Sequence, residues 1–365
     1  MRMKLFALCA VLGVLVALGG CASSLKLGRI EAAYRKPSNV AVFFSVDDHK
    51  GEPVADLLAS DFNIYEDDKL VSVDESRQTI VNPEIAAMHY TLLLVDMSAS
   101  VTASDQVQRI TAAANEFIAK VEKYQRVAVY AFDGSKTLYE ITPFAPPGST
   151  QSVQGVAALE SFRTRDPSTN LNGAVVQALD QLDTTLAHST VPLRFGTLVV
   201  FTDGTDRADR VPLQQMVDAV EGSEHAIYAI GVGHEIDDST LSRIGKSGYI
   251  RVEDSAALGN AFTQIGERIV GFTRRYYLLS YCSPARAGKH KVTVEATTKK
   301  GKGRLDYDFN AAGFEPNCDP NRPPPFDTSG RSRKVRKKLA GSVTAADANV
   351  ELKADTKAET KPATK

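Results

Sequence analysis

Tyr90-Thr91-Leu92-Leu93-Leu94-Val95-Asp96-Met97-Ser98-Ala99-Ser100 is the stretch on which the reading of this chain turns. The unbroken apolar run Leu92 to Val95 predicts a strand buried on both faces, as in the middle of a parallel sheet. A carboxylate does not fit within such a run, so Asp96 is expected just past the strand's C-terminal end. The hydroxyls of Ser98 and Ser100 follow, with small Ala99 between them. In an open α/β sheet that edge is where ligands bind. One carboxylate and two alternating hydroxyls make a hard, oxygen-only set suited to Mg²⁺, Mn²⁺ or Ca²⁺. Taken alone, Asp-x-Ser-x-Ser also describes ordinary turn and helix-capping residues.

A second run of the same kind, Thr197 to Phe201, ends in Thr202-Asp203-Gly204, and between the two strands Ser168-Thr169-Asn170-Leu171 opens an amphipathic helix. Two strand ends and a helix start can converge on one point. This constellation resembles the von Willebrand factor type A domain and its metal-ion-dependent adhesion site. Carried over residue by residue, the resemblance implies a metal site of Asp96, Ser98, Ser100, Thr169 and Asp203. Pro167-Ser168-Thr169 stands where the family often has Gly-Gly-Thr. The resemblance covers residues 88 to 275. It implies that an open coordination position on the ion accepts a Glu or Asp side chain of a partner protein. Specificity would then be set by the surrounding loops, Asp203 to Arg210 and Pro143 to Arg165.

Alternation of strands and helices in this central region predicts an α/β fold, a doubly wound and mostly parallel sheet with helices on both faces. One helical stripe is Ile110, Ala114, Phe117 and Val121; another is Leu171, Val175, Leu179, Leu182 and Leu186; a closing one is Leu258, Phe262, Ile265 and Ile269. Further strands are expected at Val127 to Phe132, Ala226 to Val232 and Tyr249 to Val252, with Leu138 to Ile141 as an antiparallel edge. Both flanks read as β-rich. Before the domain, residues 38–86 offer a half-buried strand through Val40, Val42, Phe44 and Val46, a second at Phe62 to Tyr65 and a third at Val71 to Val73. This flank resembles the segment that precedes the A domain in bacterial von Willebrand factor A-related proteins. After the domain, residues 276–314 alternate at Tyr277, Leu279 and Tyr281, at Val292 and Val294, and at Leu305, Tyr307 and Phe309. Three strands or so are too few to stand alone. The two flanks are therefore expected to combine into one β-sandwich, or else to pack as two small sheets on the central domain.

At the N-terminus Arg2 and Lys4 precede the apolar run Leu5 to Leu18. That run is too short to span a bilayer and fits a secretory signal, residues 1–20. Leu18-Gly19-Gly20-Cys21 resembles the lipobox of bacterial lipoproteins. The resemblance implies cleavage before Cys21, lipidation of its thiol by acyl chains such as palmitate, and anchoring to the cell envelope rather than spanning of a membrane. Ala22 is compatible with outer-membrane sorting in a Gram-negative host. Residues 21–37 then read as a linker. Cys282 and Cys318 remain in a disulfide-permissive compartment and are expected to pair; two buried, inert thiols are the alternative. Residues 315–365 read as a Pro-rich stretch followed by a basic, disordered tail, with six basic residues among Arg331 to Lys338. That tail could touch an anionic envelope surface or simply be solvated. With it and residues 1–20 set aside, the body is acidic, which argues against nucleic acid as a partner.

An enzyme must offer a base or nucleophile, and here the six histidines are scattered, with neither His-Glu-x-x-His nor Gly-x-Ser-x-Gly. The expected function is that of an anchored extracytoplasmic lipoprotein using a metal-ion-dependent adhesion site for protein binding, and not an enzyme. The alternatives are a metal-independent structural or assembly lipoprotein and, as a minor one, a metal-dependent hydrolase.

Overall fold

The computed structural model describes residues 24–81, 87–103, 106–189, 193–236 and 238–326. The expected signal at residues 1–20, the expected lipidation site Cys21 and the expected tail from residue 327 lie outside them. In chain order the first flank forms β1 (Lys26–Arg35), β2 (Asn39–Asp47), β3 (Phe62–Glu66), β4 (Lys69–Leu70), the helical turn α1 (Val73–Ser76) and β5 (Thr79–Val81). The central region follows as β6 (Ala87–Asp96), α2 (Ala99–Thr102), α3 (Gln106–Val121), β7 (Arg126–Phe132), β8 (Tyr139–Thr142), α4 (Gln151–Val156), α5 (Leu171–His188), β9 (Leu193–Thr202), α6 (Leu213–Gly222), β10 (Ala226–Val232), α7 (Asp238–Ile244), β11 (Gly248–Val252) and α8 (Leu258–Arg274). The last flank is β12 (Tyr276–Cys282), β13 (Lys289–Thr298) and β14 (Gly301–Asn310).

The central sheet runs β11-β10-β9-β6-β7-β8, parallel throughout except for β8. Alternate residues of β6 serve two cores, which is why its apolar run is unbroken. Leu93 and Val95 pack with the faces of α3 and α8, including Phe117, Phe262 and Ile265. Leu92 and Leu94 pack with α5, α6 and α7, including Leu179, Met216 and Leu241. Removing either set leaves a cavity; a fully buried leucine such as Leu94 contributes about 2–5 kcal/mol by that measure. Because the chain moves from β6 to β7 on one side and later places β9 on the other, the strand order reverses at the β6–β9 boundary. In open α/β sheets the carboxyl ends of the strands beside such a reversal are where ligands bind. Asp96 is the last residue of β6 rather than the first beyond it.

The flanks build two further four-stranded sheets, β1-β2-β12-β5 and β14-β13-β3-β4, each combining strands from before and after the central domain. They share one core containing Val42, Phe44, Ile64, Tyr277, Leu279, Val292 and Val294, so they form a sandwich with the α/β domain inserted between its halves. The strand β2 is buried on both faces and not half-buried as expected. Its second face, Ala41 and Phe43, meets Ala87, Tyr276 and Leu278 at the junction with the α/β domain. At the same junction the buried Arg275 binds Asp47 at 2.9 Å, and His89 stacks on Phe195 with ring centroids 4.8 Å apart.

Three expectations are corrected here. Residues 26–35 of the supposed linker form β1, paired along its length with β2. Its register shifts between Arg29 and Glu31, and that bulge breaks the two-residue alternation that would have marked a strand. Val71 to Val73 is not a third strand, since β4 lies earlier and α1 begins at Val73. The stretch from Pro143 to Arg165 is not all loop, because it contains α4 and a 3-10 turn at Ala157–Ser161. Residues 315–326, the described part of the segment after Phe314, have no helix or strand but are fixed to the sandwich. The Glu315 amide donates to Pro37 O at 2.7 Å, the Asn39 side chain donates to the carbonyls of Asp319 and Arg322, and a Cys282–Cys318 disulfide with a Cα–Cα distance of 5.7 Å closes it. Among the described residues no helix is long and apolar enough to cross a membrane.

Candidate functional site

At the end of β6 the Asp96 carboxylate is fully buried. Its Oδ1 accepts the Ser98 amide at 2.9 Å, and the Thr202 hydroxyl at the end of β9 lies 2.8 Å from its Oδ2. The hydroxyls of Ser98 and Ser100 are 3.2 Å apart, and Ser100 Oγ donates to Asp203 Oδ1 at 3.0 Å. Asp96, Ser98, Ser100 and Asp203 thus form one bonded chain across the β6–β9 boundary. Ser100, between Ser98 and Asp203, is exposed, so the chain opens to solvent there.

Thr169 is buried just before α5, and among the described residues its hydroxyl makes no hydrogen bond to the other four. Backbone contacts link it to them instead. Its carbonyl accepts the amides of Arg207 and Ala208 at 2.9 and 3.0 Å, which ties it to the loop after Asp203. Two residues earlier, Pro167 O accepts the Ala99 amide at 3.2 Å, and Thr164 Oγ1 donates to Met97 O at 2.9 Å. The loop after β9 also fixes α5: Asp206 Oδ2 accepts the Asn172 amide at 2.8 Å, and an acid at a helix N-terminus is favoured by the aligned peptide dipoles.

Two residues of this region escape sequence reasoning. Thr202 appears there only as part of Thr-Asp-Gly, although its hydroxyl lies against Asp96. The other is Asp133, fully buried at the end of β7. Its Oδ1 accepts the Ser135 amide at 2.7 Å, and its Oδ2 accepts the amides of Arg165 and Asp166 at 2.7 and 3.2 Å. The signal was present as a second Asp-x-Ser at a strand end, Asp133-Gly134-Ser135.

Electrostatics separates these carboxylates. Burial, and then the charge of Asp203, pushes Asp96 up to about 7 against the hydrogen bonds of Ser98 and Thr202. Burial also raises Asp203, with Glu235 adding to the rise and Ser100 and Arg207 opposing it. Among the described residues no Lys or Arg forms an ion pair with Asp96. Two buried carboxylates bridged by hydroxyls and short of positive charge are what a hard divalent cation would compensate, and an all-oxygen donor set suits it. The residues present therefore fit Mg²⁺, Mn²⁺ or Ca²⁺. Among the described residues no cluster of three or more His, Cys, Asp or Glu is arranged to hold a metal, so any such ion would depend on the hydroxyls.

Residues 91–205 match the von Willebrand factor type A domain family. The α/β unit has the von Willebrand factor type A fold, here joined to additional antiparallel sheets. Among solved structures, a von Willebrand factor type A protein from Catenulispora acidiphila is 11% identical, with 81% of this chain and 74% of that one covered at a TM-score of 0.45. The manganese-loaded TRAP protein of Plasmodium vivax is 12% identical over 65% of this chain and 98% of its own, TM-score 0.42. Proximal thread matrix protein 1 of the mussel byssus, solved with a zinc-occupied MIDAS motif, is 14% identical over 50% of this chain and 48% of its own, also with a TM-score of 0.42. No curated protein sequence matches the chain.

Proposed function

We propose that this protein is a lipid-anchored, extracytoplasmic protein of the bacterial cell envelope that binds a partner protein through a divalent cation held by Asp96, Ser98, Ser100, Thr169 and Asp203. One observation carries the reading: the buried Asp96 and Asp203 are linked through Ser98 and Ser100, and among the described residues no Lys or Arg forms an ion pair with Asp96. Asp96 and Asp203 supply the negative charge, and the three hydroxyls supply neutral oxygens. Two carboxylates balance a divalent ion's charge only formally, and neutral ligands leave it attractive to a further anionic oxygen. A Glu or Asp of the partner fills that role. Ser100, exposed at the mouth, marks the side of approach.

Anchoring rests on the Leu-Gly-Gly-Cys motif ending at Cys21, with outer-membrane placement expected if the host is Gram-negative. The basic run Arg331 to Lys338 is positioned in sequence to add contact with an anionic surface. The proposed role is non-catalytic, the sequence offering neither His-Glu-x-x-His nor Gly-x-Ser-x-Gly.

Calorimetric titration of Mg²⁺ and Mn²⁺ into the mature chain and into Asp96→Ala tests this function. Saturable uptake that the substitution abolishes, together with partner capture that a chelator reverses, supports it. Uptake unchanged by Asp96→Ala would sink it.

A further inference from the structure

Three loops meet at the candidate site, and one side chain outside the proposed ligand set holds the loop that carries Thr169. We propose that Asp133 is a positioning residue for the cation site, acting through Thr169; this rests on the metal-binding reading above. The segment 164–170 carries Thr169 without a helix or strand of its own. Asp133 binds both ends of it. Its carboxylate accepts the amides of Arg165 and Asp166, and its carbonyl accepts the Asn170 amide at 3.1 Å, the residue next to Thr169. Neighbouring contacts reinforce the grip. The Gly134 amide donates to Asp166 O at 3.1 Å, and Asn170 Nδ2 donates to Ser135 O at 2.8 Å. Arg210, from the loop after Asp203, donates to Gly134 O at 2.6 Å and to Asp166 Oδ2 at 2.7 Å.

Asp133 itself is poorly suited to be a ligand. Its oxygens already face at least three amide donors, which occupy the lone pairs an ion would use. Those same donors make an isosteric change informative. In Asp133→Asn one oxygen becomes an NH₂, which donates and so opposes the amides of Arg165 and Asp166 or of Ser135. The segment must shift, and Thr169 with it. Gly134→Ala disturbs the same place without altering charge, since a Cβ there would run into the Asp166 carboxyl and lie 2.8 Å from Ser168 Cβ.

A double-mutant cycle on the mature chain, read by Mn²⁺ affinity in calorimetry, tests the proposal. Outer-shell partners of metal ligands typically carry 10–100-fold in affinity. Thr169→Ala and Asp133→Asn are each expected to weaken Mn²⁺ binding about tenfold. The double variant is expected to bind no more weakly than Thr169→Ala alone, because Asp133 acts only through that ligand. Ser152→Ala, which removes a buried hydrogen bond to Val127 O far along β7, is expected to lower the melting temperature and leave Mn²⁺ affinity unchanged. If Asp133→Asn does not fold, Gly134→Ala takes its place in the same cycle. Independent losses that multiply in the double variant overturn the proposal, as does unchanged affinity in the single one. Absence of Mn²⁺ uptake by the unaltered chain overturns the metal reading and this proposal together.

Discussion

Two adjacent parallel strands, β6 and β7, end in the same local device: an aspartate whose Oδ1 accepts the amide of a serine two residues on. The distances are 2.9 Å for Asp96 and Ser98 and 2.7 Å for Asp133 and Ser135. Both carboxylates are completely buried. Their remaining oxygens differ. Asp133 Oδ2 takes two more backbone amides, and although burial pushes this carboxyl up, the donors together hold it below the ordinary carboxylate range. Asp96 Oδ2 accepts the Thr202 hydroxyl, and burial followed by the nearby charge of Asp203 pushes this carboxyl up to about 7. Identical turn chemistry therefore yields a structural carboxylate on one strand and a charge still seeking compensation on the next. In the proposed metal-binding reading, function lies in what the fold leaves unsatisfied, not in the turn itself.

The largest expected effect separates the two by substitution with asparagine. Asp96→Asn should abolish saturable Mn²⁺ binding, a loss of at least about 100-fold, while raising metal-free stability at pH 8 by relieving an uncompensated buried charge. Asp133→Asn should instead lower metal-free stability by about 2–3 kcal/mol, since it sets a donor against backbone amides. Urea denaturation of both variants in chelator checks the signs. If both shift stability in the same direction, the distinction between the two carboxylates fails.

Much of this architecture was legible in the sequence because apolar periodicity reports burial directly. Leu92 to Val95 and the stripe Leu171, Val175, Leu179, Leu182, Leu186 could have few other destinations. The spacing of Asp96, Ser98, Ser100 and Asp203 was equally visible, since each follows or closes such a run. Asp133 showed only its local Asp-x-Ser spacing; its grip on the Thr169 segment was hidden, because its partners at Arg165 and Asp166 lie about thirty residues away and contribute amides, which every residue carries. The same reasoning covers β1, where a bulge and backbone pairing replaced alternation, and residues 315–326, held partly by carbonyls reaching Asn39.

His89 extends the comparison to a buried base. Burial, followed by the positive charge of Arg275, lowers it from its ordinary 6.5 to about 3. It is therefore neutral in the folded protein and takes up a proton on unfolding. Its contribution is complete above about pH 6.5 and is lost as pH falls towards 3. At pH 4.5 that loss is about 2–3 kcal/mol relative to pH 8. Carboxylates titrate in the same range, so the informative quantity is the difference between the native chain and His89→Phe, a ring that fits among Phe195, Phe272 and Tyr276. Parallel pH–stability curves for the two would show that the junction does not hold His89 neutral.

The smallest expected effect concerns the Thr202 hydroxyl on Asp96 Oδ2. Thr202→Val keeps the shape of the β9 end and removes the donor 2.8 Å from that oxygen. Without it the metal-free carboxylate loses a stabilising bond, so Asp96 should rise further; at neutral pH more of the protein must release a proton before an ion can bind. Mn²⁺ affinity at pH 7 should drop about threefold to tenfold, with most of the loss recovered at pH 8.5, where Asp96 is ionised in either protein. Equal losses at both pH values would mean that Thr202 orients Asp96 rather than tuning its charge. It would then do for Asp96 what the amides of Arg165 and Asp166 do for Asp133, and the contrast between the two strand ends would narrow to the neighbouring charge of Asp203.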